Sequence, residues 1–316
     1  MNKVYISNFA STLGSKNQSV EQAETAGQLI SSAAALREAG FDRHQICSDN
    51  ENSYHLASRA FSQSNIDPQS IDVIVYATCL PMNGSQSNHV LFEESGDVKH
   101  VMRFPASELQ AEYEMHNAFI IGLNQQACTG MLGSLRIARN FLLAENGVNN
   151  VLCVTSDRFP KGAKYEQAYN LISDGAAVCR VSRDAQGFRL LDVHHISNGA
   201  MVDASDDETV GSYFNYVVRL IGETLDKNHL AMSSVRWVVP QNTNRKAWEV
   251  LSRLLDLDVD QAFFPSMKQT GHVISADNII NLAELRSSSH LEEGDLVLTF
   301  MAGYGSNWQC ALLEAV

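Results

Sequence analysis

Residues 124–133 read NQQACTGMLG. The preceding AFIIGL has the apolar run of a short strand, and the stretch from Gly130 to about Glu145 has helical spacing, so Cys128 falls on a strand-to-helix turn. Unpaired N–H groups and the dipole at the start of a helix favour an anion there, and a thiolate is the anion on offer. A lowered thiol pKa in that place is a route to a nucleophile, and Thr129 and Gly130 are small enough to admit a substrate carbonyl. A small buried residue at a tight turn accounts for the same pattern, and this stretch alone leaves both readings open.

Working outward, the chain alternates strand-like and helix-like segments. Lys3 to Ser7 reads as a strand, VEQAETAGQLISSAAALREAG as one helix from about Val20 to Gly40, and Tyr54 to Gln63 as a short helix before the strand IDVIVYAT. Pro81 to Pro105 has no clean period and is rich in Gly, Ser and Asn, which predicts a long excursion of functional or interfacial use. A helix near Ser107 to His116 precedes the Cys128 segment, and the strand NVLCVTSD follows it. The remainder repeats the theme: strand FRLLDVHHI, helix from about Glu208 to Leu225, strand VRWVVP, helices RKAWEVLSRLLD and DNIINLAELRSS, then strands DLVLTFMA and NWQCALLEA. Such alternation predicts an α/β protein with parallel strands and helices on both faces. Two similar halves, 1–185 and 186–316, meet near Ser182 to Gly187.

Composition narrows the function classes. The 316 residues carry 23 basic and 36 acidic side chains, a formal charge of −13, which gives no electrostatic footprint for nucleic acid or an anionic membrane surface. No apolar run reaches transmembrane length, and MNKVYISNFASTLG has no signal-peptide pattern, so a cytoplasmic chain is expected. The six cysteines lack a C-x-x-C pair or a nearby His cluster, so neither a metal site nor a disulfide framework is expected. Cys79, Cys153, Cys179 and Cys310 lie in strand-like apolar runs and read as core.

Several stretches, taken in order, carry a resemblance. NQQACTGMLGSLRIARNFL is similar to the nucleophile segment of the thiolase superfamily, more closely of its ketoacyl carrier-protein synthase III type. SNIDPQSIDVIVYAT, NVLCVTSDRF, ISDGAAVCRV, WVVPQNTNRKAW, TGHVISADNI and LTFMAGYGSNWQCALLE resemble successive segments of that family along nearly the whole chain. The resemblance implies a duplicated thiolase-like fold, layered αβαβα, with two mixed sheets around central helices. The nucleophile then lies in the first half and its partners in the second. It also implies a homodimer.

The pattern breaks at two places. Condensing members pair the cysteine with a His after the V-P and an Asn after the later Gly; here those positions read Gln241 and His272. An amide can hydrogen-bond but cannot move a proton, whereas an imidazole does both near neutral pH. Asp277, five residues after His272, is placed to orient it, and this Cys-His-Asp arrangement resembles a branch that moves acyl groups without condensation. Without the resemblance, His272 and Asp277 read as helix-entry residues and Gln241 as a loop residue. His116, His194 and His195 are the competing bases; the last two, adjacent in a strand, point to opposite faces.

The resulting expectation is an acyltransferase. Cys128 takes the acyl group from a pantetheine-borne thioester on an acyl carrier protein or coenzyme A, with no bound cofactor. Backbone N–H groups of Cys128 and of the Gly303-Tyr304-Gly305 turn hold the oxyanion, and His272 with Asp277 activates a small-molecule hydroxyl or amine acceptor. Arg245 and Lys246 are the candidates for carrier binding at the tunnel mouth, although they equally suit a solvated helix start. Rival expectations are decarboxylating condensation, thioester hydrolysis, and a non-enzymatic thiolase-fold partner subunit; the intact Cys128 argues against the last.

Overall fold

An apolar run without polar alternation has to be covered on both faces. Val73–Ala77, VIVYA, is buried at every position and lies between two strands of a mixed sheet. The computed structural model describes residues 3–168, 170–304 and 306–316. Among these, nine strands form that sheet: β1 (Tyr5–Leu13), β2 (Val73–Ala77), β3 (Phe119–Leu123), β4 (Asn150–Asp157), β5 (Gly175–Ser182), β6 (Phe188–Ser197), β7 (Val235–Val239), β8 (Leu296–Gly303) and β9 (Asn307–Ala315). Their order across the sheet is β7-β8-β9-β6-β1-β5-β4-β2-β3.

The helices that cover this sheet are α1 (Ser53–Ser62), α2 (Pro105–Glu112), α3 (Gly130–Ala144), α4 (Asp206–Lys227), α5 (Arg245–Leu254) and α6 (Asp277–Ser287). Helices α1 and α2 pack outside the first half, where Leu56, Phe61 and Leu109 join Ile74 and Leu152. Helices α4 and α5 cover the second half, where Val217, Leu220 and Trp248 join Leu298 and Phe300. Between the halves, Leu135 and Leu142 of α3 and Ile279 and Leu282 of α6 share one core with Val75, Cys153, Val297 and Leu313. The expected five-layer thiolase-like architecture is therefore present. Its two half-sheets are joined where β1 meets β6, through Tyr5 with Arg189 and Ile6 with Phe188.

Among the strands of this sheet, parallel pairing joins β2/β3, β2/β4 and β7/β8, where helices intervene along the chain. Elsewhere neighbouring strands run antiparallel: β1 lies between β5 and β6 and opposes both, and β8 ends at Gly303 only a few residues before its partner β9 begins at Asn307, which leaves no length for a crossover. The parallel sheet read from alternation is thus a mixed one, as the resemblance implied.

Two further expectations change. The helix expected over residues 20–40 is two, Val20–Thr25 and Ala33–Glu38. Gly27 has φ +67°, and the Glu166 carboxylate accepts the N–H groups of Ile30 and Ser31, at 2.7 and 2.8 Å, which diverts the chain between them. The excursion from Pro81 to Pro105 contains a helix, His89–Ser95, ended by Gly96 in the left-handed region. No helix among the described residues is long and apolar enough to cross a membrane.

The central layer sets stability. Leu135 of α3 is fully buried, whereas Leu143 on the same helix is 39% exposed. Leu135→Ala is expected to lower stability by about 2–5 kcal/mol, and Leu143→Ala by no more than about 0.5 kcal/mol. Denaturant melts of the two variants measure the contrast.

Candidate active site

Both central helices bury the N-terminal half all round, as layers covered on two sides require. Their N-termini meet at one place. Cys128 occupies a single 3₁₀ turn, Ala127–Thr129, that runs into α3, and the corresponding turn Ile274–Ala276 runs into α6. Ala127 and Ile274 take φ of +44° and +54°. For a β-branched residue such as Ile274 that conformation costs on the order of 1–3 kcal/mol, and such outliers gather at functional sites. Ser275 Oγ donates to the Ala127 carbonyl at 3.3 Å and ties the two turns together.

The Cys128 turn is also gripped from β9. Gln309 Nε2 on β9 donates to Gln126 Oε1 at 2.8 Å and to Thr129 Oγ1 at 3.1 Å. A Cβ on Gly133 would stand 1.8 Å from Gln126 Oε1, and one on Gly303 would stand 3.1–3.3 Å from Gln126 O, Thr129 Cγ2 and Cys128 N. The small residues around Cys128 are thus explained by this clamp, which sequence reading missed because its partner lies 180 residues away.

His272 is 4% exposed and Asp277 fully buried. His272 Nδ1 bonds to Asp277 Oδ2, and the carboxylate also accepts the N–H groups of Asn242 at 2.7 Å and Val273 at 2.6 Å. Behind it, Asn242 Nδ2 donates to Ser266 Oγ and to the Gly271 carbonyl, both at 2.9 Å, and Asn281 Nδ2 donates to Asn242 Oδ1 at 2.9 Å. The His272 backbone is fixed by N–H donation to Leu171 O at 2.7 Å and acceptance from Ser173 N at 2.9 Å. The ring is left with Nε2 for Cys128.

Hydrogen bonding from Cys79 holds the Cys128 thiol well below its usual range, with burial opposing and the His272 ring and the Tyr304 backbone N–H assisting. Burial pulls His272 down, but the charge and hydrogen bond of Asp277, together with Cys128, push it up to about 10. The resting pair is accordingly a thiolate and an imidazolium. It persists between the low thiol pKa and pH of about 10, and the stability His272 contributes is lost as pH rises through that value. Asp277 begins α6 and Cys128 precedes α3, so each negative charge also faces the positive end of a helix dipole.

Cys128 and His272 line a cavity of about 300 Å³ with Gln241, Ala302, Gly303 and Tyr304, walled mainly by α4 and α5 through Thr209, Val210, Tyr213, Phe214, Ala247 and Val250. Gln241 Oε1 accepts the Ala302 N–H at 2.6 Å. Tyr213, which the sequence reading did not single out, has a buried hydroxyl without a hydrogen-bond partner among the described residues. Lys246 lines the cavity and pairs with Glu38. Arg245 instead lines a separate cleft of about 480 Å³ with Arg37 and Lys268, so the two basic candidates do not act at one mouth. Gly305 lies outside the described residues. Residues 81–105 contribute nothing to the cavity wall among the described residues. His116 is exposed; His194 pairs with Glu223 and His195 meets Arg136, on opposite faces of β6, and neither reaches the cavity. Cys153, Cys179 and Cys310 are core, as expected, but Cys79 is not: it follows the end of β2, and its Sγ lies 3.9 Å from that of Cys128.

An ordinary thiol with a pKa of about 8.5 is only ~0.3% ionised at pH 6. Alkylation of Cys128 by iodoacetamide is therefore expected to stay nearly level from pH 6 to 8 in the parent. In His272→Ala the rate at pH 6 should fall by about two orders of magnitude, with the midpoint moving upward. A parent profile that rises steadily to pH 8.5 contradicts the ion pair.

The comparisons with known proteins agree with this architecture. Residues 124–199 match the family model described as 3-oxoacyl-[acyl-carrier-protein (ACP)] synthase III, and residues 225–315 match that of its C-terminal part. The β-ketoacyl-[acyl-carrier-protein] synthase III of Paramagnetospirillum magneticum is 24% identical, over 93% of this chain and 94% of the relative. The 3-oxoacyl-[acyl-carrier-protein] synthase III structure from Aquifex aeolicus superposes with a TM-score of 0.78 at 20% identity, covering 98% of this chain and 99% of that one. The acyltransferase ChlB3 gives 0.81 at 18% identity, covering 99% and 98%. With the matched segments containing Cys128 in one half and the His272–Asp277 pair in the other, the chain belongs to the thiolase superfamily as a ketoacyl carrier-protein synthase III-like protein.

Proposed function

We propose that this protein is an acyltransferase that carries an acyl group on Cys128 from a pantetheine-borne thioester to a hydroxyl or amine, without condensation. One observation carries the reading: a buried His272–Asp277 pair stands against Cys128, while the position of the condensing members' imidazole is Gln241, whose oxygen is committed to Ala302. An amide there cannot relay a proton. The likeness to ChlB3 supports the fold that such chemistry uses.

The proton economy follows from the resting ion pair. Cys128 thiolate attacks the thioester carbonyl, and collapse of the tetrahedral adduct breaks the bond to the pantetheine sulfur, which takes its proton from imidazolium His272. Having given up that proton His272 is neutral, as a base must be, and the acylated sulfur no longer carries the charge that helped to hold the proton on the ring. Neutral His272 accepts the proton of the acceptor as its oxygen or nitrogen bonds to the acyl carbon. Departure of Cys128 as thiolate restores the pair. Backbone N–H groups of Cys128 and of the 303–305 turn are assigned to the oxyanion, since Tyr304 N–H already reaches the sulfur.

An acyl carrier protein or acyl-coenzyme A is assigned as donor, in line with the names of the relatives. Lys246, at the cavity, is the candidate for its phosphate or acidic surface, and Arg245 reads better as part of the neighbouring cleft. A homodimer is supported by the open edge of β3 together with exposed Met82, Met102, Phe104 and Phe119, where a second copy would bury apolar surface.

Intact-protein mass spectrometry after exposure to a panel of acyl thioesters tests the first half: an adduct forms on the parent and is absent from Cys128→Ala. In single-turnover measurements His272→Ala accumulates the adduct and passes it to an acceptor about 10²–10⁴-fold more slowly than the parent. Asp277→Asn moves in the same direction. Release of carbon dioxide from a malonyl thioester, with a lengthened acyl product, would overturn the reading in favour of the condensing activity that the relatives' names carry.

A further inference from the structure

The structure holds a second thiol against the nucleophile, and acyl transfer gives it no proton or acyl group to move. Cys79 Sγ lies 3.9 Å from Cys128 Sγ. The approach is built into the backbone. The Asp157 carboxylate, at the end of β4, accepts the Cys79 N–H at 2.9 Å, the Leu80 N–H at 3.1 Å and Asn83 Nδ2 at 2.9 Å, which nails down the turn that carries Cys79. At the start of α3, a Cβ on Gly130 would stand 3.0 Å from that of Ala77, so the end of β2 and the nucleophile turn are already in contact. Cys128 lines the cavity and Cys79 does not. One sulfur therefore meets whatever enters the cavity, and the other, on a partly exposed residue, lies beside it outside the cavity lining.

We propose that Cys79 is a resolving thiol, and that the Cys79–Cys128 pair is an oxidation site at which a hydroperoxide converts the nucleophile to a reversible disulfide. A sulfur–sulfur bond of about 2.05 Å requires the two atoms to close by roughly 1.9 Å from 3.9 Å, a movement of side-chain rotation. The steps balance. Cys128 thiolate attacks one peroxide oxygen; the O–O bond breaks, the departing oxygen takes the His272 proton, and Cys128 becomes the sulfenic acid. The Cys79 sulfur then attacks the Cys128 sulfur, the disulfide forms, and the hydroxyl leaves with the Cys79 proton as water. Two thiols have lost two electrons to the peroxide, and a dithiol returns them. The fast partner is the low-pKa Cys128, whereas hydrogen bonding to Cys128 and burial keep Cys79 protonated until it is called on. The other close pair, Cys153 and Cys179, faces across β4 and β5 in the sealed core and has no access to oxidant.

The test needs no acyl donor, so its failure is separate from failure of the acyltransferase reading. The parent is treated with hydrogen peroxide, weighed intact, and mapped without reduction. The expected product has lost about two mass units, contains a Cys79–Cys128 cross-linked peptide, and recovers nearly all iodoacetamide reactivity at Cys128 after dithiothreitol. Cys79→Ser, with Cys79→Ala as a second variant, should instead gain two or three oxygens at Cys128 and recover at least about tenfold less of its own starting reactivity. A parent that gains oxygen without the cross-link, a cross-link between any other cysteines, or variants that recover as fully as the parent would overturn the proposal. The parent peptide map decides the matter even if neither variant folds.

Discussion

A carboxylate and an imidazolium closed off from water are tolerable only when each remaining lone pair and proton has a partner. For Asp277 and His272 that requirement reaches far beyond the two residues. Asp277 needs the N–H groups of Asn242 and Val273, Asn242 needs Ser266, Asn281 and the Gly271 carbonyl, and His272 needs the strand-like bridge to Leu171 and Ser173. Four separate segments are brought to order by one ion pair. The left-handed Ile274 is the geometric cost of satisfying them together, since the chain must turn between a histidine fixed to one neighbour and a helix that starts on its own counter-ion. The third charge, on Cys128, completes rather than strains this set, because it adds an anion beside a cation that already exists.

Much of this was legible in the residue order, and the rest for reasons that can be named. Helix α3, strand β4 and the later strands are long apolar or periodic runs whose burial follows from pattern alone. The turn at Cys128 was visible because small residues sit where a strand gives way to a helix. The pairing of His272 with Asp277 was visible through the family resemblance, since without it both read as ordinary helix-entry residues. Residues 20–40 misled because Ala-rich propensity favours a continuous helix, while the force that splits it, Glu166, comes from a distant segment. Cys79 misled for the opposite reason: its local run is apolar, as a core cysteine's would be, and its meeting with Cys128 depends on two elements crossing. Arg245 and Lys246 are adjacent in sequence but separated by about 100° around a helix, so a shared mouth was never available to both. The Gln309 clamp and the Asn242 network had no local signal at all.

The replacement at Gln241 has a structural side as well as a chemical one. Its oxygen takes the Ala302 N–H, next to the Gly303 that must approach the Cys128 turn without a side chain. A residue that cannot move protons thereby still shapes the wall on which the substrate carbonyl has to lie. In the proposed cycle the scaffold at that position is retained without its proton chemistry, and the proton work falls to His272, whose charge rises and falls with that of the sulfur.

The placement of β1 bears on how the chain reaches this state. Of the described strands it is made first, yet its hydrogen-bonding partners are β5 and β6, and its Ile6 shares a core with Ile279 and Leu282 of α6, which follows β7 in the chain. During synthesis the first half therefore carries an exposed apolar layer and an unmatched strand for most of its length, the condition under which contacts between distant residues form slowly and aggregation competes. Completion of β9, which brings Gln309 to the Cys128 turn, is then the event that closes the core and fixes that turn. A nascent chain short of that strand holds Cys128 without the clamp that positions it.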